Sequence, residues 1–367
     1  MSGRVRLVVK VGSSTLTHAT GQLNLGRMEA LCRELADLAN AGHQPILVTS
    51  GAVAAGLGRL GLAARPRSLP ERQAMAAVGQ GLLMQIYEKL FGEYGRVVAQ
   101  ILLTRDDASD RRRYLNARHT LLTLLGLGVI PIINENDTVA TEELQFGEND
   151  TLSAMVAGLV DADLLLLVSD IDAFYTADPR RNPGARRLSE VGEITPEIVA
   201  AAGGAGSARG TGGMQSKIEA ARIAVNSGCL MALIGGEPGL VSALLRGDDV
   251  GTVFLPRPRA LHARDRWIAF GMVPAGELVV DSGAVRALRE GGKSLLPSGI
   301  VAVRGDFSPG DLVRVLDEQG AEVGRGLVNY CSAEIARLAG RRTAEIGDLL
   351  GHRGYEEIVH RDNLVCL

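Results

Sequence analysis

The chain has 367 residues, enough for two domains or for one large domain with an appendage. Hydrophobic residues make up 46% of it and aromatic ones only 4%, so its core must be aliphatic. A net charge of −3 gives no general reason to bind nucleic acid or an anionic membrane, and four scattered cysteines, with no CxxC and no histidine at metal-ligand spacing, indicate neither a disulfide framework nor a zinc site.

Val5 to Val11 is an apolar, β-branched run that reads as a buried parallel strand. It carries Lys10 and ends in Gly12-Ser13-Ser14, where a glycine lets backbone N–H groups approach an anion. Asn24 reads as an N-cap. Apolar residues from Leu25 to Ala39 recur at helical spacing until Gly42. Pro45 to Thr49 is a second strand, running into Ser50-Gly51-Ala52-Val53. Small residues there let a helix start against the sheet, with Ser50 either contacting a ligand or capping the helix. Residues 71–94 read as a long helix, Val97 to Leu103 as a strand, and Arg105 to Arg113 as a solvated loop or helix start. A helix over Asn116–Leu127 and a strand over Val129–Ile133 follow.

That strand delivers Asn134-Glu135-Asn136-Asp137, the pattern of a strand entering a ligand crevice. Thr138 to Phe146 reads as a polar connection, followed by Gly147-Glu148-Asn149-Asp150 and a helix from Thr151 to Leu159. Leu164 to Val168 is a central strand ending in Ser169-Asp170. Residues 171–209 read as a loop-rich excursion over a site. Gly210-Thr211-Gly212-Gly213 then leads into a helix over Met214–Ser227 and a strand over Cys229–Ile234. Strands alternating with helices predict an open, largely parallel α/β sheet sandwiched by helices. Composition changes at Leu255-Pro256-Arg257-Pro258-Arg259, and from Gly276 short β-type runs separated by turns predict a small β-barrel-like domain. The expected division is 1–255, a linker over 256–274, and 275–367. No apolar stretch suits a bilayer span, and no signal-peptide core precedes the first strand, so a soluble cytoplasmic protein is expected.

Two lysines, Lys10 and Lys217, each lie beside a glycine-rich turn, and the carboxylates Asp137, Asp150 and Asp170 stand at strand ends or loops. Phosphoryl transfer needs this mixture: fixed cations and backbone N–H groups for charge spread over the transferring oxygens. Lys217 in a first helical turn is disfavoured by the helix dipole unless an anion sits there. No GxxxxGK[ST] loop and no GxGxxG after the first strand is present. No nucleophile is paired with a base, which suits an acceptor already ionised at neutral pH, such as a carboxylate.

The ordered set Val9-Lys10-Val11-Gly12-Ser13-Ser14, Val48 to Val53, Ile133 to Asp137, Gly147 to Asp150, Tyr175-Thr176-Ala177-Asp178-Pro179-Arg180 and Gly210 to Met214 with Lys217 resembles the amino-acid kinase family, in its glutamate-phosphorylating branch. The C-terminal part resembles a PUA domain. The resemblance implies ATP-dependent, Mg²⁺-assisted phosphorylation of the L-glutamate γ-carboxylate, the first step of proline synthesis, with proline as inhibitor and a homo-oligomer, dimer or tetramer. It implies that Lys10 and Lys217 stabilise the transferring group, that Asp150 orients them, and that Ser50, Asp137 and Asn149 hold glutamate. It places ATP on Lys10, Gly12, Ser169, Asp170, Thr211, Gly212, Gly213, Met214, Gln215, Ser216 and Lys217. Ser169 stands where the family usually has Thr and keeps the hydroxyl; 138–148 is where a regulatory loop is expected. Other branches, acting on aspartate, acetylglutamate, carbamate or a nucleotide, are the enzymatic rivals. RNA binding through the PUA domain is the other alternative, but residues 276–367 carry 11 Lys+Arg against 14 Asp+Glu, a net of −3, so strong binding is not expected.

Overall fold

The computed structural model describes residues 3–18, 22–62, 66, 68–140, 149–179, 182–202, 213–256, 265, 267–351 and 355–366. The chain divides into two compact units, Met1–Ala260 and Leu261–Leu367.

The first unit is built on an eight-stranded sheet. Its first half runs β1 (Arg6–Val11), α1 (Ser13–Leu16), α2 (Leu25–Asn40), β2 (Gln44–Val48), α3 (Ala52–Leu60), α4 (Leu69–Glu93), β3 (Val98–Leu103), α5 (Arg105–Ser109), α6 (Arg111–Gly126) and β4 (Ile130–Glu135). Its second half runs α7 (Asn149–Leu159), β5 (Leu164–Ser169), β6 (Glu190–Val191), α8 (Pro196–Ala202), α9 (Met214–Asn226), β7 (Leu230–Gly235), α10 (Leu240–Arg246) and β8 (Thr252–Phe254). Strand order is β3-β4-β2-β1-β5-β7-β8-β6, with every pairing parallel except that of β7 with β8. The segment after Leu103, read from sequence as loop or helix start, is helical because Thr104 and Asp107 form a capping box around α5. Within 171–209 the structure adds α8 and the short β6.

The register fixes the site. Lys10 stands level with Val48 on β2 and Leu167 on β5, so the ends of three central strands meet at one edge of the sheet. Alternation sends Leu7, Val9 and Val11 into an aliphatic core with Met28, Cys32 and Leu35 of α2 and Leu83, Tyr87 and Phe91 of α4. Lys10 therefore projects to the opposite face, where α7 packs on β1 and on α9. Open parallel sheets bind ligands outside the carboxyl ends of their strands, which is where this lysine emerges.

Helices α3 and α4 cross closely. A Cβ at Gly79 would overlap the carbonyl oxygen of Ala52, and one at Gly56 would overlap that of Met75. Gly51, just before α3, has φ 96°, a left-handed conformation that glycine adopts without strain.

The second unit holds a five-stranded mixed sheet made of β9 (Gly276–Val280), β10 (Ile300–Gly305), β11 (Leu312–Leu316), β12 (Glu322–Leu327) and β13 (Leu364–Cys366), in the order β10-β9-β11-β12-β13. The helices Ser282–Gly291, Ser332–Leu338 and Ile346–Leu350 accompany it, none of them anticipated by the β-type runs. Its core joins Leu278, Val280, Val313, Val315 and Val323 to Ile335 and Leu338. All four cysteines are free, and among the described residues no helix is long and apolar enough to cross a membrane.

Candidate active site

Asp150 is the centre of the charged part of the site. It is the second residue of α7, fully buried, and its two oxygens face two ammonium groups. Lys10 Nζ lies 2.5 Å from Oδ1 and Lys217 Nζ lies 3.1 Å from Oδ2. The lysines are only 8% and 7% exposed, so solvent screens this triad weakly. Burial pushes the Asp150 carboxyl up, but the two ammonium groups pull it further down, and it rests below the usual carboxylate range. One carboxylate between two lysines leaves a surplus positive charge at the sheet edge.

Lys217 is the fourth residue of α9, and its backbone follows Gly213 at the N-cap, where no side chain caps the helix. Met214 and Gln215 form the first turn. The Ser216 hydroxyl lies 3.0 Å from Asp150 Oδ2 and 2.9 Å from the Gly213 carbonyl oxygen. Two helix N-termini, α7 and α9, thus converge with two lysines, an arrangement suited to an anion. Gly12 follows Lys10, and a Cβ there would stand 3.7 Å from Lys10 Nζ, in the space beside the ammonium group. On the adjacent strand β5, Ser169 is buried and donates to Asp170 Oδ1 at 3.1 Å, while Asp170 is exposed. Thr211 and Gly212, with Gly147, Glu148, Arg180 and most of the expected regulatory loop, 141–148, lie outside the described residues.

Asn149, the neighbour of Asp150, faces a different set of groups. Its Nδ2 donates to the Thr49 carbonyl oxygen at 2.7 Å, to Ser50 Oγ at 2.8 Å and to Asn134 Oδ1 at 2.9 Å. Ser50 and Asn149, expected together from the sequence, do meet. Asp137 sits in the turn after β4, half-buried, and among the described residues no hydrogen bond joins it to Ser50 or Asn149. Burial raises the Asp137 carboxyl above its ordinary value, with Arg72 of α4 opposing the shift.

Three polar residues of this part carry no role in the sequence reading. Asn134 is 2% exposed where the apolar run of β4 gives way to polar residues, and a polar residue directly after such a run is the signal that could have marked it. Thr49 is buried, and its hydroxyl lies 2.8 Å from that of Tyr87. Gln80 accepts from Asn134 Nδ2 at 2.9 Å. Nothing in the sequence separates Gln80 from the other polar positions of α4.

The model of the amino acid kinase family matches residues 5–235, and that of the PUA domain matches residues 276–350. A glutamate 5-kinase of Moorella thermoacetica is 58% identical over 99% of this chain and 96% of its own. Another, of Carboxydothermus hydrogenoformans, is 55% identical over 99% and 97%. Among solved structures, the carbamate kinase of Giardia lamblia bound to AMP-PNP superposes with a TM-score of 0.52 at 16% identity, covering 70% of this chain and 100% of that one, which speaks for a shared fold.

Proposed function

The chain belongs to the amino acid kinase family and carries a PUA domain, and from that premise we propose that it transfers the γ-phosphoryl group of ATP to the γ-carboxylate of L-glutamate. The product is glutamyl 5-phosphate, the entry step of proline synthesis. The observation that carries the reading is the division of labour at one peptide unit: Asp150 turns to two buried lysines, while Asn149 turns to Ser50 and Asn134. A phosphate-handling half and a neutral, amide-lined half meet there, as a phosphoryl donor and an amino-acid acceptor require.

In this reading Lys10 and Lys217 stabilise charge on the transferring phosphoryl oxygens, and Asp150 holds both ammonium groups in place. Gly12, Ser169, Asp170 and the stretch from Thr211 to Lys217 line the nucleotide. Ser50, Asn149 and Asp137 hold glutamate. The acceptor oxygen is already ionised at neutral pH, so no general base is needed, and positioning with electrostatic stabilisation supplies the rate. Mg²⁺ fits this donor set as an ion carried chiefly by the phosphate oxygens: the one carboxylate amid the lysines is already paired with them, and Asp170 stands exposed at the rim. When bound it would neutralise charge on the nucleotide's β- and γ-oxygens.

We assign 1–255 to the kinase domain, 256–274 to a linker and 275–367 to the PUA domain, which limited proteolysis would test. A cytoplasmic homo-oligomer inhibited by proline completes the proposal, to be checked by light scattering and by proline titration. The deciding experiment is ATP-dependent hydroxamate formation in hydroxylamine, with L-glutamate against aspartate, acetylglutamate and carbamate. Glutamate is expected to be preferred, and Lys217→Ala to abolish most of the signal. Preference for another acceptor would move the chain to a different branch of the family.

A further inference from the structure

Three side-chain amides stand in file at the amino-acid end of the site. Asn149 Nδ2 donates to Asn134 Oδ1 at 2.9 Å, and Asn134 Nδ2 donates to Gln80 Oε1 at 2.9 Å. The direction of this row is fixed by two main-chain groups. The Thr49 carbonyl, 2.7 Å from the Asn149 amide, can only accept, so the nitrogen of Asn149 must face it. The Glu135 N–H can only donate, and it lies 2.9 Å from Asn134 Oδ1, so that oxygen must face inward. Asn134 then presents its nitrogen to Gln80, and Gln80 must answer with its oxygen. Amide orientation, ordinarily a choice between two similar atoms, is here dictated from end to end.

The row leaves one loose end on each side. Gln80 Nε2 and Asn149 Oδ1 are buried, and neither has a hydrogen-bond partner among the described residues. A buried acceptor without a donor is costly. An ammonium group carries donors only, so it satisfies Asn149 Oδ1 in this orientation and would be repelled by the Asn149 NH₂ in the other.

We propose that Gln80 is a positioning residue for the ammonium group of the amino-acid substrate, anchoring Asn134 so that the Asn149 amide, its direction set by the Thr49 carbonyl, is held in place with its oxygen toward that group. This rests on the glutamate reading above. Gln80 itself touches no reacting atom. With no acceptor at position 80, Asn134 Nδ2 is left buried and unpaired. Turning brings no relief, because it would leave the Asn134 oxygen unpaired instead and set its NH₂ against the Asn149 NH₂ and the Glu135 N–H, so Asn134 must shift to find another partner for that NH₂. The Asn149 amide keeps the Thr49 carbonyl but loses the well-placed Asn134 oxygen that helps hold it in position.

The test compares wild type with Gln80→Met, Gln80→Ser and Gln80→Glu. Methionine matches the length without an acceptor. Serine is too short to reach Asn134 and serves if the methionine variant fails to fold. Glutamate keeps an acceptor in place. Hydroxamate kinetics and calorimetric binding are run with L-glutamate and with glutarate, the same diacid lacking the ammonium group. Gln80→Met and Gln80→Ser should raise the glutamate KM roughly tenfold, the order of one hydrogen bond to a charged group. They should lower the preference for glutamate over glutarate by the same factor and leave the ATP KM unchanged, while Gln80→Glu retains the preference. A folded Met or Ser variant with the wild-type preference overturns the proposal. So does a Gln80→Glu variant as impaired as Gln80→Met, because packing rather than polarity would then be at issue. A wild type that binds glutamate no better than glutarate would overturn the glutamate reading, and this proposal with it.

Discussion

Asn149 and Asp150 are adjacent in the chain and belong to opposite kinds of chemistry. Around Asp150 charge dominates: two lysines meet one carboxylate, all buried, held by Coulomb attraction at 2.5 and 3.1 Å, with the Ser216 hydroxyl beside them. Around Asn149 the direct contacts are neutral: a backbone carbonyl, a hydroxyl and an amide. The charged half tolerates small displacements, because attraction between ions falls off slowly with distance. The neutral half depends on which atom faces which, because a turned amide converts attraction into repulsion. A mobile, multiply charged phosphate suits the first half, and a small amino acid to be told from its analogues suits the second.

The most severe way to break the comparison is to remove its charged centre. Asp150→Ala leaves two buried ammonium groups facing each other. Uncompensated buried charge of this kind costs ~3–5 kcal/mol, so the denaturation midpoint should fall sharply. Activity should fall by more than the ~10²–10³-fold expected for one lost electrostatic donor, since both lysines lose their anchor. A variant with wild-type stability in urea would show that the lysines find other partners, and that Asp150 does not organise them.

Lys217→Met is the sharper cut. Lys10 keeps its carboxylate, so the fold should hold, and kcat should drop by ~10²–10³ with the glutamate KM little changed. Steady-state kinetics with both substrates varied distinguish this from a binding defect. A raised glutamate KM at unchanged kcat would mean that the two halves are not separate.

How far the two halves could be read beforehand follows the same line. Lys10, Asp150 and Lys217 are charged residues next to glycine-rich turns or strand ends, and charge in such places is conspicuous. The parallel sheet was equally plain, since runs such as Val5–Val11 and Leu164–Val168 have no other use for so many aliphatic residues. That two lysines so far apart in sequence share one carboxylate comes from strand order and from the packing of α7 on α9, which no local pattern encodes. Gln80 was invisible because a glutamine on a long helix is ordinarily solvent-facing. The helix Ser282–Gly291 is hidden by short β-type runs on either side, although Asp281 caps it by accepting from the Ala284 N–H.

Helix packing offers a smaller perturbation, confined to the neutral half. Gly79→Ala forces a methyl group into the backbone of Ala52, the first residue of α3 and two positions after Ser50. Backbone cannot rotate away, so α3 must shift, at a cost typical of overpacking, ~1–3 kcal/mol. Because α3 carries the Ser50-Gly51 turn, the glutamate KM should rise while the ATP KM stays. Loss of stability with both KM values unchanged would show that the crossing supports the fold alone.

The smallest expected effect separates the two halves by pH, because their carboxylates are shifted in opposite directions. Asp150 lies below its ordinary value of 3.8, so its contribution to stability is complete above 3.8 and is lost only as the pH falls through its depressed folded value. Asp137 lies above 3.8 because burial disfavours its charge, so it opposes folding slightly wherever the unfolded chain would be ionised. An ammonium ligand needs Asp137 ionised. On acidification, glutamate binding should therefore weaken first, as Asp137 takes its proton, while the Asp150 triad still holds the fold. The γ-carboxyl of free glutamate titrates nearby, at about 4.3, so the wild-type profile alone is ambiguous. Asp137→Asn resolves it: calorimetric glutamate affinity should be weaker than wild type at neutral pH and should lose the part of the pH dependence that Asp137 contributes, with thermal stability in acid little altered. An Asp137→Asn variant that keeps the full wild-type slope would remove Asp137 from ammonium recognition and leave that task to Asn149 and the amides behind it.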